Sequence, residues 1–156
     1  MGTAVAIIDF EPRYATDFKL LNLEWLHLHF RVEPIDEQVL SHPEDILRDG
    51  GAIWLAQHGS AIVGCCALIA KGDATYELSK MAVTASAQGN GLGRRLLEAA
   101  VKGFFENGGR LLFLETNTAL KTAIALYESS GFEHMKRPEP SPYERANVYM
   151  VYTRNR

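Results

Sequence analysis

Cysteine is scarce in this chain: the only two, Cys65 and Cys66, are neighbours in an apolar stretch. They lack the spacing of a redox C-x-x-C pair and have too few companions to hold zinc, so they read as small hydrophobes pointing to opposite faces of a strand, and no metal is implied. The chain also has no run of Lys or Arg, and its formal net charge is −3. A polyanion needs a basic stripe, so nucleic acid and an anionic membrane are excluded as bulk partners. Uncharged stretches are broken by Gly, His or Ser well short of a membrane span, and no charged-then-apolar leader opens the sequence. A cytoplasmic protein is expected. There is no repeat and no low-complexity linker. With 156 residues and 47% hydrophobic composition, the chain should form a single domain over 1–156.

What is present centres on the run from Tyr76 to Phe105. Its first part, Tyr76 to Val83, alternates Leu78 and Lys80 against Ser79 and Met81, the period of a strand. From Leu92 the apolar residues fall at Leu96, Ala100 and Phe104, with Leu97, Val101 and Phe105 beside them, the stripe of an amphipathic helix. Asn107, Gly108 and Gly109 stop that helix. Between strand and helix lies Gln88-Gly89-Asn90-Gly91-Leu92-Gly93, followed by Arg94 and Arg95. Glycines at a helix mouth suit a phosphate, because the first N–H groups lack intrahelical partners and no Cβ obstructs the approach. A P-loop is excluded by the absence of Gly-Lys-Ser/Thr. A dinucleotide fingerprint, and with it a nucleotide-dependent oxidoreductase, is disfavoured by Arg94 where its third glycine should stand.

On these residues the sequence resembles the GNAT acetyltransferase superfamily, whose coenzyme A signature Q/R-x-x-G-x-G/A is matched by Gln88, Gly91 and Gly93. The strand ELSKMAV, the following helix, the strand LLFLET and the helix AIALYESSGF stand in the family's order, so the resemblance covers roughly Ala52 to Tyr152. It implies an α/β (α+β) fold with a mixed, mostly antiparallel central sheet of about seven strands, flanking helices and one parallel crossover through the corner helix.

The rest of the chain fits around this centre. Ala4 to Phe10 reads as a first strand, and Pro12 opens a helix whose apolar residues, from Tyr14 to Phe30, cover most of its circumference and ask for cover on more than one side. That apolar helix makes a homodimer an expectation. His27 and His29, two apart, face different ways and make no chelating pair. Pro34 ends this helical region, and Asp36 to Leu40 and Pro43 to Arg48 form short helical turns. Ala52 to Gln57, Ala61 to Ala70 and the central strand make an antiparallel meander. Leu111 to Leu114 is continuously apolar, hence buried on both faces and parallel to the central strand. A helix then starts near Thr118 and ends at Gly131. Phe132 to Lys136 and Val148 to Thr153 are the last strands, separated by the stiff loop RPEPSPYERAN.

The resemblance further implies transfer of an acetyl group from acetyl-CoA to a primary amine of a small molecule or peptide. Gln88, Gly89, Asn90, Gly91, Gly93 and Arg94 would wrap the pyrophosphate, while main-chain groups of Met81 and Val83 pair with the pantetheine arm beyond a bulge in the central strand. Met81 would also present an oxyanion donor. By family position Tyr127 is the acid for the departing thiolate; otherwise it is a core tyrosine. Asn117 bonds the coenzyme, or else caps a helix. Glu77, placed four residues before Met81, matches the base of one branch of the family; otherwise it is a paired or solvated carboxylate. Trp25 and His29 could face the acceptor, and Arg145 could hold a substrate carboxylate. Plain packing and a surface position are their alternatives. An acyl-CoA-binding sensor without turnover is the other functional class that the same residues allow.

Overall fold

A computed structural model describes residues 4–154. Seven strands form one sheet: β1 (Val5–Asp9), β2 (Ala52–His58), β3 (Ala61–Gly72), β4 (Thr75–Val83), β5 (Leu111–Thr116), β6 (Phe132–His134) and β7 (Val148–Tyr152), in the order β1-β2-β3-β4-β5-β7-β6. All neighbouring pairs are antiparallel except β4 and β5. The meander closes through tight turns. At the β3–β4 turn both Asp73 and Ala74 take left-handed φ, the geometry whose twist matches a two-residue hairpin. The expected mixed, mostly antiparallel α/β fold is therefore the observed one.

The helices are α1 (Ala15–His29), α2 (Pro34–Ser41), α3 (Pro43–Arg48), α4 (Leu92–Glu106) and α5 (Lys121–Ser129). One core forms where Leu92, Leu96, Leu97, Ala100 and Phe104 of α4 meet Leu68, Leu78, Leu112 and Leu114, with Leu126 and Tyr127 of α5 packed on it. The other lies across the sheet, where Phe18, Leu21 and Leu26 of α1 meet Leu55, Cys65 and Ala82. Cys65 and Cys66 go to different cores, as period-two alternation requires. Gly103 of α4 is fixed by close approach: a Cβ there would stand 2.6 Å from the Trp54 ring.

Several expectations are corrected. Pro34 begins α2 instead of ending a helical region, because proline is well tolerated at a first helical position. The last helix begins at Lys121, not Thr118, since Asn117 folds the intervening residues into a turn. Leu111 is partly exposed at the strand's start, so only Leu112 to Leu114 are buried. α1 is covered on one side, and Leu20 and Leu28 stay 58% and 66% exposed.

The sheet parts in the middle. β4 and β5 pair only from Thr75↔Leu111 to Glu77↔Phe113. Beyond that, the β3–β4 register shifts between Cys65 and Ala67, and Lys80 takes a φ of 54°, a left-handed bulge in the central strand. Strict alternation would put Lys80 on the Leu78 face. The bulge instead sends it to the α2 side and returns Met81 to the core shared with Leu78.

Candidate active site

Where β4 and β5 separate, a cleft of about 690 Å³ opens, and residues from both faces of the sheet line it. One end is the corner before α4. Gly91 is the N-cap with a φ of 75°, and a Cβ added at Gly89 or Gly91 would meet nothing within 4 Å, so the space over the helix mouth is open. The corner's polar side chains hold its own shape. Gln88 Nε2 donates to the Val83 carbonyl at 3.0 Å, and Asn90 Nδ2 donates to the Ala87 carbonyl at 3.2 Å. Arg94 donates to the hydroxyls of Ser129 and Ser130 at 2.9 and 3.3 Å, partners that leave its charge uncompensated. A helix N-terminus, open glycines and an uncompensated guanidinium fit a pyrophosphate.

Glu77 and Tyr127 both line the cleft. Glu77 is 5% exposed, with Lys71 Nζ 3.4 Å from its carboxylate. Burial pushes its pKa above the ordinary carboxylate value; Lys71 opposes the shift and the nearby Glu115 reinforces it. Tyr127 reaches the cleft from α5, its ring 6.1 Å from Phe132 in an edge arrangement. Burial raises the phenol's pKa too, so Tyr127 is protonated at neutral pH. Met81 and Val83 line the same space.

The opposite end is built from α1, α2 and the loop before β7. Trp25 and His29 line the cleft with ring centroids 5.4 Å apart, and Phe30 lies 5.7 Å from Trp25. Beside them is a buried charge cluster. Lys80 Nζ donates to Asp36 Oδ1 at 2.8 Å and to the Tyr143 hydroxyl at 3.1 Å. Arg145 grips Asp36 with two donors, at 2.6 and 2.8 Å, and reaches Glu33 at 3.1 Å. The Tyr143 ring lies under both cations, 4.8 Å from Lys80 and 4.6 Å from Arg145. Burial works to raise the Asp36 pKa, but the Arg145 and Lys80 interactions outweigh it and hold the carboxyl at about 2.

One expectation fails here. Arg145 is not available to a substrate carboxylate, because Asp36 and Glu33 already occupy its fork. Asn117 lines the cleft and also shapes the loop beside it: Nδ2 donates to the Arg145 carbonyl at 2.6 Å and Oδ1 accepts the Ala119 N–H at 2.8 Å. The sequence reading missed Glu33, Asp36, Lys80 and Tyr143 as a unit. The available signal was Lys80 itself, a lysine at a position whose strand parity is otherwise buried. It also missed Glu24, whose carboxylate accepts from the Thr84 hydroxyl at 2.9 Å and the Ala85 N–H at 3.2 Å, tying α1 to the segment that leads into the corner.

Comparison with known proteins accords with this geometry. The profile of the acetyltransferase (GNAT) family matches residues 18–132. The chain belongs to the GNAT family. It is 36% identical over 101 residues to an uncharacterised N-acetyltransferase of Escherichia coli, YjgM, a match over 63% of this chain and 57% of that protein. The match thus spans little more than half the length of that curated relative. A GNAT-family acetyltransferase of Staphylococcus aureus superposes with a TM-score of 0.87 at 24% identity, over 95% of this chain and 98% of that one. A structure of yncA, described as a putative acetyltransferase, from Salmonella typhimurium with its cofactor acetyl-CoA superposes with a TM-score of 0.73 at 18% identity, over 96% and 92% of the two chains. Both structures share the overall fold of this chain. Among the described residues, no helix is long and apolar enough to cross a membrane.

Proposed function

We propose that this protein is a single-domain N-acetyltransferase that moves the acetyl group of acetyl-CoA to a primary amine of a small molecule or peptide. The observation that carries the reading is one cleft, opened by a bulge in the central strand, that joins a glycine-rich helix mouth to a buried carboxylate and a protonated tyrosine. Gln88 through Arg94 bind the pyrophosphate through main-chain N–H groups and the Arg94 charge. Met81 and Val83 receive the pantetheine arm along β4. Acetyl-CoA supplies the activated thioester.

Glu77 takes a proton from the acceptor's ammonium, directly or through one water, so that the neutral nitrogen can bond to the thioester carbon. Its raised pKa suits the role, since a base is most effective when its pKa approaches the working pH. The Met81 N–H stabilises the developing oxyanion. As the carbon–sulfur bond breaks, Tyr127 protonates the thiolate. The nitrogen's second proton leaves as the amide forms and restores the Tyr127 phenol, directly or through water; Glu77 releases its proton to solvent, leaving amide, free thiol and one net proton. We place the protein in the cytoplasm, and its exposed apolar residues Leu20 and Leu28 support a homodimer through α1.

The test is thiol release from acetyl-CoA in the presence of a panel of primary amines, with mass detection of the acetylated product. Amine-dependent release with a matching mass gain is expected. Tight binding of acetyl-CoA without turnover of any amine would instead identify a sensor.

A further inference from the structure

The acceptor end of the cleft has a chemical character that narrows the acceptor class, and the inference rests on the acetyl-transfer reading above. We infer that the acceptor is an amine carried on a flat, apolar body, such as an arylalkylamine, with no carboxylate beside the amine.

The first ground is charge. Among the described residues, four cations line the cleft: Arg94 at the corner, Lys121 at the start of α5, and Lys80 and Arg145 beside α2; the last two are neutralised internally, Lys80 by Asp36 and Arg145 by Asp36 and Glu33. The two carboxylates are almost fully buried, and each makes several short contacts, so freeing either cation would leave a desolvated negative charge behind. A carboxylate entering beside α2 gains no partner from these two cations. It also approaches Glu77 and Glu115, which line the same cleft. Arg137 Nη1, 2.6 Å from Glu115, is committed there. The contrast with Arg94 is direct: that cation rests on hydroxyls, and it stands at the corner, where an anion is already required.

The second ground is shape. Trp25, His29 and Phe30 form a cluster of rings with centroid separations of 5.4, 5.7 and 6.5 Å. Trp25 is partly exposed and His29 exposed, and the three line the same cleft as Glu77. Ring faces and edges favour a planar partner by stacking, beyond the area they bury. An ammonium beside Glu77 with its apolar body against these rings satisfies both grounds together.

The experiment compares three amines in the thiol-release assay: 2-phenylethylamine, phenylalanine, which adds a carboxylate beside the same amine, and butylamine, which lacks the ring. The kcat/KM should be highest for phenylethylamine, about tenfold or more above butylamine and roughly a hundredfold or more above phenylalanine. Trp25→Leu and, as an exposed-site variant less exposed to folding defects, His29→Ala should each narrow the preference for phenylethylamine over butylamine. Phenylalanine turned over as well as phenylethylamine, or butylamine preferred over both, would overturn the class while leaving acetyl transfer standing. An unaltered aryl-to-alkyl ratio in both variants would overturn the ring cluster as its origin. Bound acetyl-CoA with no turnover of any primary amine would overturn the acetyl-transfer reading, and this inference with it.

Discussion

At the corner end of the cleft, between Ala87 and Arg94, the chain offers backbone: a helix mouth, glycines with left-handed φ and a cation left uncompensated. At the other end, between α1, α2 and the loop from Tyr143 to Ala146, it offers side chains, with charges paired among themselves and with rings gathered at the rim. The first arrangement suits one ligand that never changes. A phosphate is recognised by peptide groups any sequence carries, provided glycine lets it approach. The second arrangement is assembled from side chains far apart in the sequence. A neutral, buried cluster gives that wall rigidity without giving it an exposed charge, and in the proposed reading selectivity is left to shape and to the carboxylates near the β4–β5 split.

Filling the corner should have the largest effect. Gly91→Trp places a bulky ring where a Cβ meets nothing, so the fold should survive at a cost of about 1–2 kcal/mol for the left-handed φ. Calorimetric binding of acetyl-CoA should disappear while far-ultraviolet circular dichroism is unchanged. Unchanged affinity would remove the pyrophosphate from the corner.

Next in size is Tyr127→Phe, which keeps the ring contact with Phe132 and removes the proton. Turnover should fall by about 10²–10⁴ with little change in coenzyme affinity. Wild-type turnover would mean that water or another group protonates the thiolate.

The acceptor end should fail through stability. Lys80→Met removes one partner of a buried cluster and leaves Asp36 under-compensated, and urea unfolding should show a loss of roughly 3–5 kcal/mol. The same cluster predicts an acid limb. Asp36 titrates at about 2 in the folded protein against 3.8 unperturbed, so its contribution, about 2 kcal/mol, is fully present above the unperturbed value and is lost as pH falls from there through 2. Stability measured from pH ~5 downward should decline over that window in the wild type, and the Asp36→Asn protein should lack that component.

These two ends also differ in how far the sequence revealed them. The corner is contiguous: strand, glycines and helix follow one another from Tyr76 to Phe105, so local periodicity and a six-residue signature were enough to place it. The meander and the parallel crossover were legible for the same reason, since each connection is short or carries its own helix. The acceptor wall joins Asp36 to Arg145, 109 residues apart, and Lys80 to Tyr143, 63 apart. Nothing local announces such pairs. The bulge at Lys80 adds a second obstacle, because it reverses the side-chain parity from which a strand's faces are read. Arg145 shows the consequence: its residue type suggested a carboxylate, correctly, but the carboxylates are the protein's own.

Glu77 is the group proposed to free the acceptor's nitrogen, and the pH dependence of Glu77→Gln tests that role most directly. The variant keeps the side chain's shape and removes a carboxylate that burial already disfavours in its charged form, so it should fold normally. Thiol release with a saturating primary amine should drop at neutral pH, by about 10²-fold or more if no water relay substitutes, and recover in part in alkaline buffer as free amine becomes abundant. A Glu77→Gln profile superimposable on that of the wild type from neutral to alkaline pH would contradict the assignment and leave the cleft's base to be sought elsewhere.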